Sequence, residues 1–341
     1  MTSKDVVPAF EPDMIDVRLF GIVSLSVAGR PVALKPKTQL LSAVLFLAGG
    51  QWIPADRLVR QVWDDDTPAD PRGALQDLVR DLRNALDEAH PGARALVVQR
   101  SGTYAARLDP RQVDVHRFRV LLAEADSLNE PHGDLSTAGE RYRQALDQWG
   151  GELASPGEPV AGHRGSWVAS VRHSLESDHL TAVLRLLDVE LRLGRHTIAA
   201  PVLAQLSVLH PCHERVAELY MRALCHSGQP TEAQTVFHQL RSDSGREPGE
   251  RLQHLHQQII TGDKRLELPV NDEESTDSGS AGRAAPEPET AHRGKRQHEG
   301  AAAKERRSAR RSGRQTYRAA VINNFDGPVD AEVIGIKKVP R

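Results

Sequence analysis

Between Arg72 and Asn84 the chain carries the side chains that can read a nucleic acid: Arg72, Gln76, Arg80, Arg83 and Asn84. An amide such as Gln76 or Asn84 can both donate to and accept from the edge of an adenine. A guanidinium can fork onto the two acceptors of a guanine or grip a phosphate. Their spacing gives them a common surface. Leu75, Leu78, Val79, Leu82 and Leu86 recur at helical intervals and demand burial. At 100° per residue the opposite face then carries Gly73, Gln76, Asp77, Arg80 and Asn84, with Arg72 and Arg83 on its flanks. Asp70 is placed to cap this helix and Pro71 to start it. One residue is out of keeping. Asp77 lies near the middle of the outward face, where a carboxylate repels phosphate unless it accepts from a cytosine amine.

The elements around the helix are those that would hold it in a groove. Leu96–Arg100 and Thr103–Arg107 read as two short strands about the tight turn Ser101–Gly102. A helical stretch, Ala55 to Trp63, precedes it after the apolar link Trp52–Ile53–Pro54. Helix, loop, amphipathic helix and hairpin describe a winged helix-turn-helix with its second helix in the major groove. Lys35 and Lys37, at the start of an apolar helix from Pro36 to Ala48, and Arg100 in the wing are then candidate phosphate contacts. Strand candidates Ile15–Phe20 and Ile22–Val27 place a small antiparallel sheet in front.

Charge does not advertise this function. Residues 14–110 hold twelve Lys and Arg against eleven Asp and Glu, and the whole chain of 341 residues has a formal net charge of −2. The 39% apolar content supports folded cores in two domains. Two cysteines, Cys212 and Cys225, suit a reducing cytoplasm rather than a disulfide scaffold. There is no signal-peptide pattern and no apolar run of the ~18 residues a membrane span needs. No phosphate-cradling glycine loop, metal-ligand spacing or nucleophile–base constellation is present, so no enzyme activity and no cofactor are expected. Asp64–Asp65–Asp66 lacks the alternating spacing of a calcium loop.

From Val113 the periodicity is helical for about 150 residues with no convincing strand, and it contains a repeat. Gly194 and Gly228 lie 34 residues apart, with Ala199 matching Ala233, Leu203 matching Phe237 and Leu206 matching Leu240. That is the tetratricopeptide period. Beyond it the tail is acidic, then basic: residues 293–318 hold ten Lys and Arg against two Glu. It has too little apolar surface to fold. Residues 319–341 become β-prone again.

The order of these motifs resembles one family. Asp16–Arg18–Leu19–Phe20–Gly21, Asp56–Arg57–Leu58 before Val62–Trp63, Ala74–Leu75–Gln76 with Leu82–Arg83–Asn84–Ala85–Leu86, and the Gly102–Tyr104 wing are similar to the Streptomyces antibiotic regulatory proteins. So are Asp114–Val115–His116–Arg117–Phe118 and Leu193–Gly194–Arg195–His196. The resemblance covers residues 14–262. It implies an α+β winged helix-turn-helix of OmpR type followed by an all-α, tetratricopeptide-like bacterial transcriptional activation domain, with a disordered C-terminal tail. The expected boundaries are 1–13 disordered, 14–110 DNA-binding, 111–265 activation domain, 266–318 disordered linker and 319–341 the β-prone segment. Such proteins activate pathway-specific antibiotic gene clusters from direct repeats in promoter DNA, so a cytoplasmic activator, homodimeric at least on DNA, is implied. The loop before the recognition helix, Asp64, Asp65, Asp66 and Thr67, would face the sigma or alpha subunits of RNA polymerase. The alternative is an interaction scaffold that no longer binds DNA and works through the repeat groove and the C-terminal segment.

Overall fold

The computed structural model describes residues 15–130 and 133–262. The expectations for 1–13, 266–318 and 319–341 lie outside the described residues.

The N-terminal part is α+β. Strands β1 (Ile15–Arg18), β2 (Ser24–Val27) and β3 (Arg30–Pro31) form an antiparallel sheet in that order, with Ile15 opposite Val27 and Val17 opposite Leu25. Alternation buries Ile15, Val17, Leu25 and Val27 on one face. Three helices succeed the sheet: α1 (Pro36–Leu47), α2 (Ala55–Trp63) and α3 (Pro71–Ala89). Behind α3 the chain forms the hairpin of β5 (Val97–Arg100) and β6 (Thr103–Ala106). The link expected at Ile53–Pro54 is a short strand, β4, which pairs with β6 and makes a second three-stranded sheet. Ser101 and Gly102 both have positive φ, the turn that joins two strands without splaying them.

The second part is mostly helical: α4 (Asp114–Leu128), α5 (Leu135–Leu146), α6 (Ser166–Arg192), α7 (His196–Leu209), α8 (Glu214–His226), α9 (Pro230–Ser244) and α10 (Glu250–Thr261). The matched repeat positions Ala199 and Ala233, Leu203 and Phe237, and Leu206 and Leu240 are all buried. The expectation of no strand after Val113 needs correction. Between α5 and α6 lies a small hairpin, β7 (Gly151–Glu152) with β8 (Ser155–Pro156).

Past β8 the backbone returns to the N-terminal sheet. Val160 N–H donates to Leu19 O at 2.8 Å, Ala161 N–H to Gly21 O at 2.8 Å, and Gly21 N–H to Glu158 O at 3.1 Å. Around this seam the two parts share one core. Phe20 stacks on Trp149 with ring centroids 4.1 Å apart, and Phe118 of α4 meets both edge-on. His179 of α6 abuts Trp149 at 4.7 Å. Asp114, buried at the start of α4, accepts from Leu19 N–H at 2.8 Å and Phe20 N–H at 2.9 Å. Burial pushes its carboxyl above the usual carboxylate range, against the pull of these amides. His116 donates to Phe46 O in α1 at 3.2 Å, and burial holds its imidazole below the ordinary histidine value. The two parts are thus joined by packing and by backbone bonds rather than by a free linker.

Candidate nucleic-acid interface

The position of α3 is fixed at both ends. Asp70 accepts from Gly73 N–H at 3.0 Å, and Pro71 supplies the first helical turn. A side chain at 73 would put its Cβ 2.2 Å from the Asp70 carboxylate, which would have to shift to keep the cap. At the other end Asp87 accepts from Gly92 N–H at 2.8 Å, in the turn that leads to the hairpin. Leu75, Val79, Leu82 and Leu86 are buried, as their spacing requires. Gln76, Asp77, Arg80 and Asn84 are exposed in a row along the opposite side.

The cations expected to meet DNA fall into four groups. Arg80 is on the face, with its Nη1 2.8 Å from Asp77 Oδ1. Lys35 and Arg72 lie at its margins and are also paired, Lys35 with Asp81 at 3.3 Å and Arg72 with Asp56 at 3.5 Å. Arg83 is half-buried and Lys37 exposed, and each already has a backbone partner within the protein. Arg83 donates through Nε and Nη2 to Val97 O, at 3.0 and 2.9 Å, and so fastens β5 to α3. Lys37 donates to Val62 O at 3.0 Å, at the carbonyl end of α2, with its Nζ 6.0 Å from the Trp63 ring centroid. Arg100 is exposed beside the hairpin turn. Three of these cations thus pair with acids of the same part.

The loop between α2 and α3 also differs from expectation. Asp64 accepts from Ser166 N–H at 2.9 Å and from Ser166 Oγ at 2.5 Å, which caps the N-terminus of α6. These two bonds hold its carboxyl below the usual range. Asp64 therefore ties the loop to the helical part while remaining at the surface. Asp65, Asp66 and Thr67 are exposed. Sequence reasoning missed Ser166, which lies 102 residues from its partner and carries no local signal beyond a helix start.

The regulatory protein DnrI of Streptomyces peucetius is 33% identical over 246 residues, a match that spans 70% of this chain and 88% of DnrI. The chain belongs to the Streptomyces antibiotic regulatory protein family. The family described as "Bacterial transcriptional activator domain" matches residues 113–260, so this family member is a transcription regulator with that domain as its helical part. The regulatory protein AfsR of Streptomyces coelicolor is also 33% identical, over 236 residues, and here the match spans only 22% of AfsR. Among solved structures, Mycobacterium tuberculosis EmbR, in complex with a low affinity phosphopeptide, superposes with a TM-score of 0.64 at 21% identity, covering 73% of this chain and 65% of EmbR. That likeness supports the α+β-then-helical fold of this family member. Among the described residues no helix is long and apolar enough to cross a membrane, and no group of three metal-ligating side chains converges.

Proposed function

We propose that this regulator is a sequence-specific transcriptional activator whose N-terminal part, residues 14–110, is a winged helix-turn-helix. The observation that carries the reading is the row Gln76, Asp77, Arg80 and Asn84, exposed along a helix whose other face is locked in the core and whose flank is braced by a hairpin. In this reading α3 enters the major groove with Gln76, Arg80 and Asn84 at base edges. Arg100 meets the backbone beside the hairpin, and Lys35 and Arg72 exchange their carboxylates for phosphates. The helical part, with its 34-residue tetratricopeptide-like repeat, mediates dimerisation on direct repeats. Asp65, Asp66 and Thr67 face RNA polymerase. The regulated genes are a secondary-metabolite cluster, by likeness to the family, and no catalytic chemistry is involved.

The test is selection of binding sites from random-pool duplex DNA by the full chain, with affinity then measured over a salt series. A repeated motif should be enriched, and Arg80→Ala should lower affinity for it by about tenfold or more. Arg100→Ala should weaken all duplexes alike and reduce the salt slope by about one. If the full chain enriches no motif, the activator reading fails and the scaffold reading replaces it.

A further inference from the structure

We infer that Asp77 and Arg80 act as one unit that reads a G·C base pair. The inference rests on α3 being the helix that enters the major groove.

Most acids around this surface have a structural task. Asp70 caps α3, Asp87 holds the turn after it, and Asp64 caps α6. Asp56 and Asp81 pair with cations of other elements, Arg72 from the start of α3 and Lys35 from the approach to α1. Asp77 differs. Its partner is the arginine one turn further along the same exposed row, and their side chains remain 62% and 65% exposed. An exposed i,i+3 pair of this kind adds little to stability. In a DNA groove, however, the carboxylate oxygen that Arg80 does not hold is unfavourable unless a donor such as a base amine or a bridging water meets it.

The major-groove edge of a G·C pair displays two acceptors, N7 and O6 of guanine, and then one donor, the N4 amine of cytosine. The Arg80–Asp77 pair displays the complement. One guanidinium nitrogen is held by Asp77 Oδ1 at 2.8 Å, which orients the planar group and leaves other N–H donors for guanine. The second carboxylate oxygen is left to accept from cytosine. An A·T pair lacks two adjacent acceptors, so the arginine would lose its fork there. The ion pair that neutralises the surface in the free protein becomes the element that selects the base pair. Gln76 and Asn84, on either side in the row, are left for adenine.

The experiment uses the full chain, as wild type and as Asp77→Ala, Asp77→Asn and Arg80→Ala. Each is selected against random-pool DNA and then titrated on duplexes that differ at single positions of the enriched motif. Circular dichroism confirms that the exposed substitutions leave the fold intact. The expected result is one G·C position at which the wild type discriminates by about tenfold or more. Asp77→Ala and Arg80→Ala should each lose most of that discrimination, and the double variant little more. Asp77→Asn should shift the preference toward A·T. If Asp77→Ala instead tightens binding to all duplexes equally with an unchanged motif, Asp77 merely repels phosphate and the inference is overturned while the activator reading stands. A motif with no position sensitive to both residues overturns it in the same way. If the wild type enriches no motif, both readings fall together.

Discussion

The seam between the two parts of the molecule and the outward face of α3 both carry many charged groups, but they satisfy them in opposite ways. At the seam, beside side-chain pairs such as Arg117 with Asp16, two carboxylates meet backbone amides across large sequence separations: Asp114 with Leu19 and Phe20, and Asp64 with Ser166. An amide cannot move away, and at Asp114 the bond is shielded from water, so it is strong and specific. On the outward face the partners are side chains in water: Asp77 with Arg80, Asp81 with Lys35, Asp56 with Arg72. Such pairs contribute about 0–1 kcal/mol each and can be exchanged for another anion. The seam is built to stay closed, and the face is built to change partners.

The sharpest way to break this comparison is to empty the seam. Phe20→Ala removes a ring stacked on Trp149 and edge-on to Phe118, and should cost about 3–5 kcal/mol. Because both parts share one core, we expect a single thermal transition shifted to lower temperature. Two separate transitions, with the helical part unmoved, would show that the seam does not couple them.

Acid should open the same region. Burial against Trp149 lowers the His179 pKa to about 4, and His116 is lowered in the same direction. Their unfolded value is about 6.5. A depressed histidine stabilises fully above the unfolded pKa, and this stability is lost as pH falls through that value toward the folded one. Between about pH 6.5 and 4, His179 should therefore account for a loss on the order of 3 kcal/mol. Asp114 opposes this, since its raised pKa lets the folded state take up a proton favourably in acid. Denaturant melts of wild type and His179→Gln across this window should show a shallower acid decline in the variant. Equal slopes would remove His179 from the account.

A smaller loss is expected from a single buried carboxylate. Asp114→Ala leaves the Leu19 and Phe20 amides without an acceptor and should cost about 1–3 kcal/mol. Asp114→Asn keeps an acceptor oxygen and should recover much of that loss. If the two variants melt together, the negative charge matters and not the hydrogen bonds.

The same contrast separates what was legible in the sequence from what was not. The face of α3 was readable because one helix sets its period: Leu75, Val79, Leu82 and Leu86 on one side dictate Gln76, Arg80 and Asn84 on the other. The 34-residue repeat was readable for the same local reason. The seam was not. Leu19 meets Val160, and Asp64 meets Ser166, through contacts that no periodicity within either segment encodes. Strands of two residues such as β4 and β7 carry no alternation to detect. Helical angle puts Arg83 on the flank of the face but does not fix where its side chain points. The open carbonyl of Val97, across the connection to the hairpin, decides its direction.

The smallest effect on stability should come with a clear effect on binding. Asp81→Asn releases Lys35 from a pair whose lysine side chain is 82% exposed, so stability should change by no more than about 0.5 kcal/mol. The freed ammonium stands at the margin of the α3 face, and the variant also removes one negative charge from that margin. Affinity for DNA should therefore rise for all sequences alike, because Lys35 no longer gives up a carboxylate to reach phosphate, with the salt slope little changed. Lys35→Ala should lower affinity for all sequences alike and reduce the salt slope by about one, since it removes the cation that exchanges Asp81 for a phosphate. Anisotropy titrations at several salt concentrations, with a thermal melt of each variant, separate the outcomes. A fall in melting temperature of several degrees with unchanged DNA affinity would place this pair with the seam, as a structural tie between α1 and α3, and would erase the distinction between the two regions.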